Sequence, residues 1–98
     1  MAFIDNYNFD YLKNEAEKMV IQEVGQQLKN EPKSVCRCND CVVDIAAIAL
    51  NSVKPLYRFS LLGTLYASQA MTEKSYSDSV KNAVAAAIKK VKKNPSHD

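Results

Sequence analysis

The sequence predicts an all-α fold, and three observations carry that expectation. Two long stretches repeat their apolar residues at helical spacing, and a third is apolar almost without interruption. No pair of alternating stretches reads as a strand pair. With 98 residues and no internal repeat or low-complexity tract, the chain makes one domain over residues 1–98. Within it, 1–10 form an N-terminal arm and 94–98 a C-terminal tail.

Each element has its own sequence cause. The arm holds Phe3, Ile4, Tyr7 and Phe9 without clear period, which suits a segment that packs on something else, such as another subunit. In the first helix Leu12, Ala16, Met19, Val20, Val24 and Leu28 make one stripe, opposed by Lys13, Glu17, Lys18 and Gln22. Asn30 and Pro32 stop it, since the residue before a proline avoids the helical region.

The second helix begins at Asn39 or Asp40, whose side chains can cap a first turn. From Cys41 to Leu50 its only polar residue is Asp44. A helix apolar all round needs burial on every side, which so short a chain scarcely provides. Two chains packing this helix together would provide it, so an intertwined homodimer is expected.

Asn51 and Ser52 close that helix, and Lys54-Pro55 forces an extended segment through Leu56, Tyr57, Arg58 and Phe59. Between Leu61 and Lys74 the pattern is poor, with room for a short helical turn around Leu65 to Ala70. A last long helix starts near Ser77 or Asp78, buries Val80, Val84, Ala87, Ile88 and Val91, and ends before Asn94-Pro95. The predicted architecture is therefore three main helices with an extended, proline-bounded segment.

Composition narrows the function classes. A net charge of +2 is too weak for a general nucleic-acid binder. The run KKVKK at 89–93 reads as the solvated last turn of a helix, where Lys complements the helix dipole. No direct nucleic-acid binding is expected. No apolar run approaches the ~20 residues that span a bilayer, and MAFIDNYNFD has no basic leader. A cytoplasmic protein without membrane contact is the expectation.

All three cysteines fall within VCRCNDC, as C-x-C-x-x-C at the start of the apolar helix. In a reducing compartment clustered thiols read as metal ligands or redox groups before structural disulfides, and the odd count agrees. Zinc takes four Cys or His ligands in a tetrahedron. Cys36, Cys38 and Cys41 supply three of them, and the helix N-terminus and Arg37 favour the thiolates. A redox-sensitive cluster and three inert thiols stay open beside the metal reading. The single His, His97, lies in the tail. Asp44, one turn after Cys41, either receives hydrogen bonds from the thiol loop or faces water.

The residues then resemble a known family. N-x-x-E at Asn14 to Glu17 is followed by C-x-C-x-x-C-x-x-D-x-x-A-x-A-L-N, then by Pro55 and Tyr57. This order is similar to that of the ComFB family, named for late competence development in bacteria. Cys36, Cys38, Cys41, Asp44, Ala47, Ala49, Leu50, Asn51, Pro55 and Tyr57 stand at its motif positions. The resemblance spans roughly residues 12 to 97 and implies a small helical homodimer. Some members hold structural zinc with four cysteines, the last of them after a proline near the C-terminus. Here that place reads Pro95-Ser96-His97, so the resemblance makes His97 the fourth ligand.

Some members also look like receptors for cyclic dinucleotides, cyclic di-GMP or cyclic di-AMP. Such a ligand carries two phosphates and two purines, and a planar guanidinium suits both phosphate and guanine edges. The only arginines are Arg37 and Arg58, and Lys54, Tyr57 and Arg58 flank Pro55. A dimer presents the segment twice, matching the ligand's two-fold symmetry. The plainer alternative has Tyr57 packed on the core, with Lys54 and Arg58 solvated.

The expected function is thus a non-enzymatic signalling protein that binds a cyclic dinucleotide and relays its level to an effector protein. One terminal His, no Gly-rich phosphate loop and no nucleophile–base pair leave no catalytic constellation. The alternative is an interaction module whose Cys-based zinc site staples a partner-binding dimer.

Overall fold

Asn14 organises the start of the fold. Its Oδ1 accepts hydrogen bonds from the Ala16 amide at 3.2 Å and from the Leu56 amide at 2.8 Å. One short side chain thereby opens a helix and holds the segment that returns after the second helix. In the computed structural model, which describes residues 2–95, strand β1 (Lys13–Asn14) leads into α1 (Ala16–Leu28) and α2 (Asn39–Leu50). Strand β2 (Tyr57–Arg58), α3 (Leu61–Thr72) and α4 (Lys74–Lys93) follow. β1 and β2 pair antiparallel, with Lys13 opposite Arg58 and Asn14 opposite Tyr57. The fold is all-α apart from this short ladder.

Helices α1, α2 and α4 pack on one another and make the core. α1 contributes Ala16, Val20, Val24 and Leu28, spaced four apart on one face. α2 contributes Cys41, Ile45 and Ala49, and α4 contributes Tyr76, Val80, Val84, Ala87, Ile88 and Val91. Helix α2, expected to be buried all round, buries a single face in the chain, whereas the stripes of α1 and α4 are those that the sequence predicts, with one exception. Leu12 is exposed and outside α1, because the chain is already extended at Lys13–Asn14 for its pairing with β2.

Three boundaries differ from expectation. α4 begins at Lys74, which brings Tyr76 into its buried face, rather than at Ser77 or Asp78. The poorly patterned region is a full helix, α3, so the fold has four helices among the described residues rather than three. Ser60 nucleates α3: its Oγ accepts from the Gly63 amide at 3.2 Å, an N-cap contact. The cap of α2 is neither Asn39 nor Asp40 but Cys38, whose sulfur accepts from the Cys41 amide at 3.4 Å.

The molecule is a slab of 46 × 38 × 17 Å. That thickness is less than two helix diameters, so among the described residues no helix is enclosed on all sides. The outer face of α2 carries Val43, 57% exposed, and α3 buries only Ala67 while Leu61, Leu62, Leu65 and Tyr66 face outward. The arm includes a 3-10 turn, Phe3–Asn6, with no buried residue. Its rings meet one another: the Phe3 and Tyr7 ring centroids lie 4.7 Å apart in a tilted pair, and those of Tyr7 and Phe9 lie 6.5 Å apart edge to face.

Candidate functional site

The thiol cluster is built by the junction between α1 and α2. After α1 the chain turns through Pro32 and buries Val35, and Cys38 then takes an extended conformation as the cap of α2. One turn of helix carries Cys41 back beneath the loop. Cys36 is half-buried, Cys38 exposed and Cys41 buried, and their sulfur atoms all lie within 4.8 Å of one another. The amide of Cys38 lowers the Cys36 thiol pKa from its ordinary value, the Cys38 thiol adds to this, burial opposes it, and the Cys41 thiol lowers it further. Three soft donors converging on one point are a donor set that zinc and other thiophilic metals accept. These residues can hold a metal ion, and a metal there would fix the turn that starts α2. His97, the predicted fourth ligand, lies outside the described residues. Asp44 is half-buried one turn below Cys41.

Arg37 stands between two of the thiols and has a structural task that sequence alone did not reveal. Its Nη1 donates to the carbonyls of Pro32 (3.1 Å) and Val35 (2.8 Å). Its Nη2 donates to the carbonyls of Leu28 (2.5 Å) and Glu31 (3.0 Å). One guanidinium thus satisfies carbonyls at the open C-terminal end of α1 and gathers the loop that presents the thiols. Its fork faces backbone, which is a different use from the ligand contact expected for it.

The proline-bounded segment separates the other predicted ligand residues. Tyr57 is 59% exposed, so it does not pack on the core. Arg58, its neighbour on β2, points to the opposite side of the ladder and forms an ion pair through Nε with the carboxylate of Glu15. Its two terminal nitrogens keep no partner among the described residues. Lys54 lines a groove of about 330 Å³ together with Leu56, Tyr66, Glu73 and Tyr76. The Tyr76 hydroxyl donates to the Lys54 carbonyl at 2.7 Å, and burial raises its pKa. Lys54, Tyr57 and Arg58 therefore share a segment but not a single pocket. Glu15 was missed in the sequence, although it lies inside the N-x-x-E motif beside Asn14.

No helix among the described residues is long and apolar enough to cross a membrane. No curated protein matches the sequence. The solved structure of the late competence protein ComFB from Bacillus subtilis is similar to this one at a TM-score of 0.70 and 22% identity. The match covers 87% of this chain and 92% of that one, and at that identity it establishes the shared fold. The family model for the late competence development protein ComFB matches residues 13–95, from β1 to two residues past α4, and the chain belongs to the ComFB family.

Proposed function

We infer that this chain is a non-enzymatic cytoplasmic signalling module that works as a homodimer. A zinc ion on Cys36, Cys38, Cys41 and His97 staples the start of α2, and the β1–β2 edge receives a cyclic dinucleotide. The observation that carries the ligand reading is the Glu15–Arg58 pair. Glu15 holds the guanidinium by Nε and leaves its terminal nitrogens available for a phosphate or a guanine edge. Exposed Tyr57 and Phe59 offer flat surfaces for purines. Since Tyr57 and Arg58 point to opposite sides of one β2, both reach one ligand when the segments of two chains face each other across a two-fold axis. The bound state would then be read by an effector protein.

A second reading has its own observation. α3 exposes Leu61, Leu62, Leu65 and Tyr66 next to exposed Phe59, an apolar face that suits a metal-stapled interaction module with a protein partner and no nucleotide. Thermal melting separates the two readings. A ligand selective for the folded chain raises Tm, so cyclic di-GMP or cyclic di-AMP raises Tm in wild type and not in Arg58→Ala. An unchanged Tm with both nucleotides at saturating concentration leaves the interaction module. The staple is tested separately: elemental analysis finds about one zinc per chain, and a chelator lowers Tm. A folded, metal-free protein with an unchanged Tm rejects it.

A further inference from the structure

We propose that the thiol cluster is a reversible oxidation site, in which a hydroperoxide joins Cys38 to Cys41 by a disulfide and so removes two ligands from the metal. The metal-release half rests on the zinc staple inferred above; disulfide formation does not.

Exposure selects the thiol that reacts first. Cys38 is exposed at the loop's outer edge, whereas Cys41 lies in the core at 0% exposure. Geometry selects its partner. The Cys38 sulfur already sits 3.4 Å from the backbone amide of Cys41, as a cap residue does with the third residue of its helix. All three sulfurs lie within 4.8 Å, so a side-chain rotation rather than a loop rearrangement brings Cys38 and Cys41 together. The competing bridge, Cys36 to Cys38, would close a tight ring through Arg37 alone. That residue is anchored by its guanidinium to the carbonyls of Leu28, Glu31, Pro32 and Val35, which opposes the twist such a ring demands.

The chemistry balances in two steps. The Cys38 sulfur attacks the peroxide oxygen; the O–O bond breaks, the alcohol or water leaves with a proton, and Cys38 becomes a sulfenic acid. The Cys41 sulfur then attacks the Cys38 sulfur, forms the S–S bond and expels water. Two thiols lose two electrons, and the peroxide gains them. A dithiol reductant reverses the outcome. The two ligands that remain, Cys36 and His97, are half of the tetrahedral set that a structural zinc takes, so α2 loses its staple when the site is oxidised.

The test treats the full-length chain with a small excess of hydrogen peroxide, in one zinc-loaded and one chelator-treated sample. Alkylation and tryptic mapping follow, with cleavage after Arg37 separating Cys36 from the other two cysteines. Wild type should yield one peptide with an internal Cys38–Cys41 disulfide, and its thiol titre should fall from three per chain to one and recover with dithiothreitol. In Cys41→Ser the Cys38 sulfenic acid should persist and be captured by dimedone. The zinc-loaded sample should release its metal in step with the disulfide. A Cys36–Cys38 bridge, an interchain bridge, or irreversible oxidation of Cys38 overturns the proposal. Metal retained after the Cys38–Cys41 bond forms overturns the release step. A disulfide in a protein that never binds zinc rejects the staple and leaves the oxidation site standing.

Discussion

Arg58 donates its Nε to the Glu15 carboxylate, and so β2 is tied to the residue that precedes α1. The ladder adds a backbone bond from the Glu15 amide to the Leu56 carbonyl at 2.8 Å. With Arg58 36% exposed and Glu15 14% exposed, water weakens the pair, and its share of stability is modest. Its larger effect is to orient the guanidinium. Glu15→Gln should therefore cost less than ~1 kcal/mol in urea unfolding and weaken cyclic dinucleotide binding roughly tenfold. Equal affinity in the variant would show that the pair does not position Arg58 for a ligand.

Arg37 has the opposite balance, with stability first. Arg37→Ala should lose about 2 kcal/mol, because charge-assisted bonds to several carbonyls disappear together. Arg37→Lys should recover less than half of it, since a single ammonium cannot reach both sides of the fork's acceptor set. Urea unfolding measures both, and a lysine variant equal to wild type would mean that charge alone matters there.

Gly25 probes the outer face of α1. A Cβ added there meets nothing within 4 Å, and the residue is exposed in mid-helix. Gly25→Ala should raise stability by about 1 kcal/mol through helix propensity alone. A loss of stability, or a change in sedimentation, would place this face against another chain.

Tyr76 makes stability depend on alkaline pH. Burial raises its pKa above the ordinary 10.0, so the folded state holds the proton more tightly than the unfolded state does. The contribution is full below pH 10 and is lost as pH rises through the folded value. Tyr76→Phe should be less stable by about 1 kcal/mol at neutral pH, where the Lys54 carbonyl loses its donor. It should also lose less than wild type between neutral pH and pH 11. Parallel stability–pH curves would contradict this.

What could be read from the sequence follows from how local each cause is. The stripes of α1 and α4 need only a helical period, and the thiol cluster needs only short spacing at a helix start. α3 had no such signal. In LLGTLYASQAMT the polar Thr64, Ser68, Gln69 and Thr72 interrupt the apolar residues, and the single chain buries only Ala67 of this helix, so no apolar stripe marks a core-facing side. The Cys38 cap was missed because a thiol competes poorly with Asn or Asp in any ranking of caps. Arg37's task depends on backbone carbonyls that carry no sequence mark. The Arg58–Glu15 pair joins residues 43 apart, a distance at which only the fold brings them together.

The most direct test of the account is a calorimetric titration of the full-length protein with cyclic di-GMP and with cyclic di-AMP, beside Arg58→Ala. The account predicts saturable binding of one of them at micromolar or lower Kd, one ligand per two chains, and loss of that binding in the variant. No heat with either nucleotide in a folded, dimeric wild-type protein would contradict it.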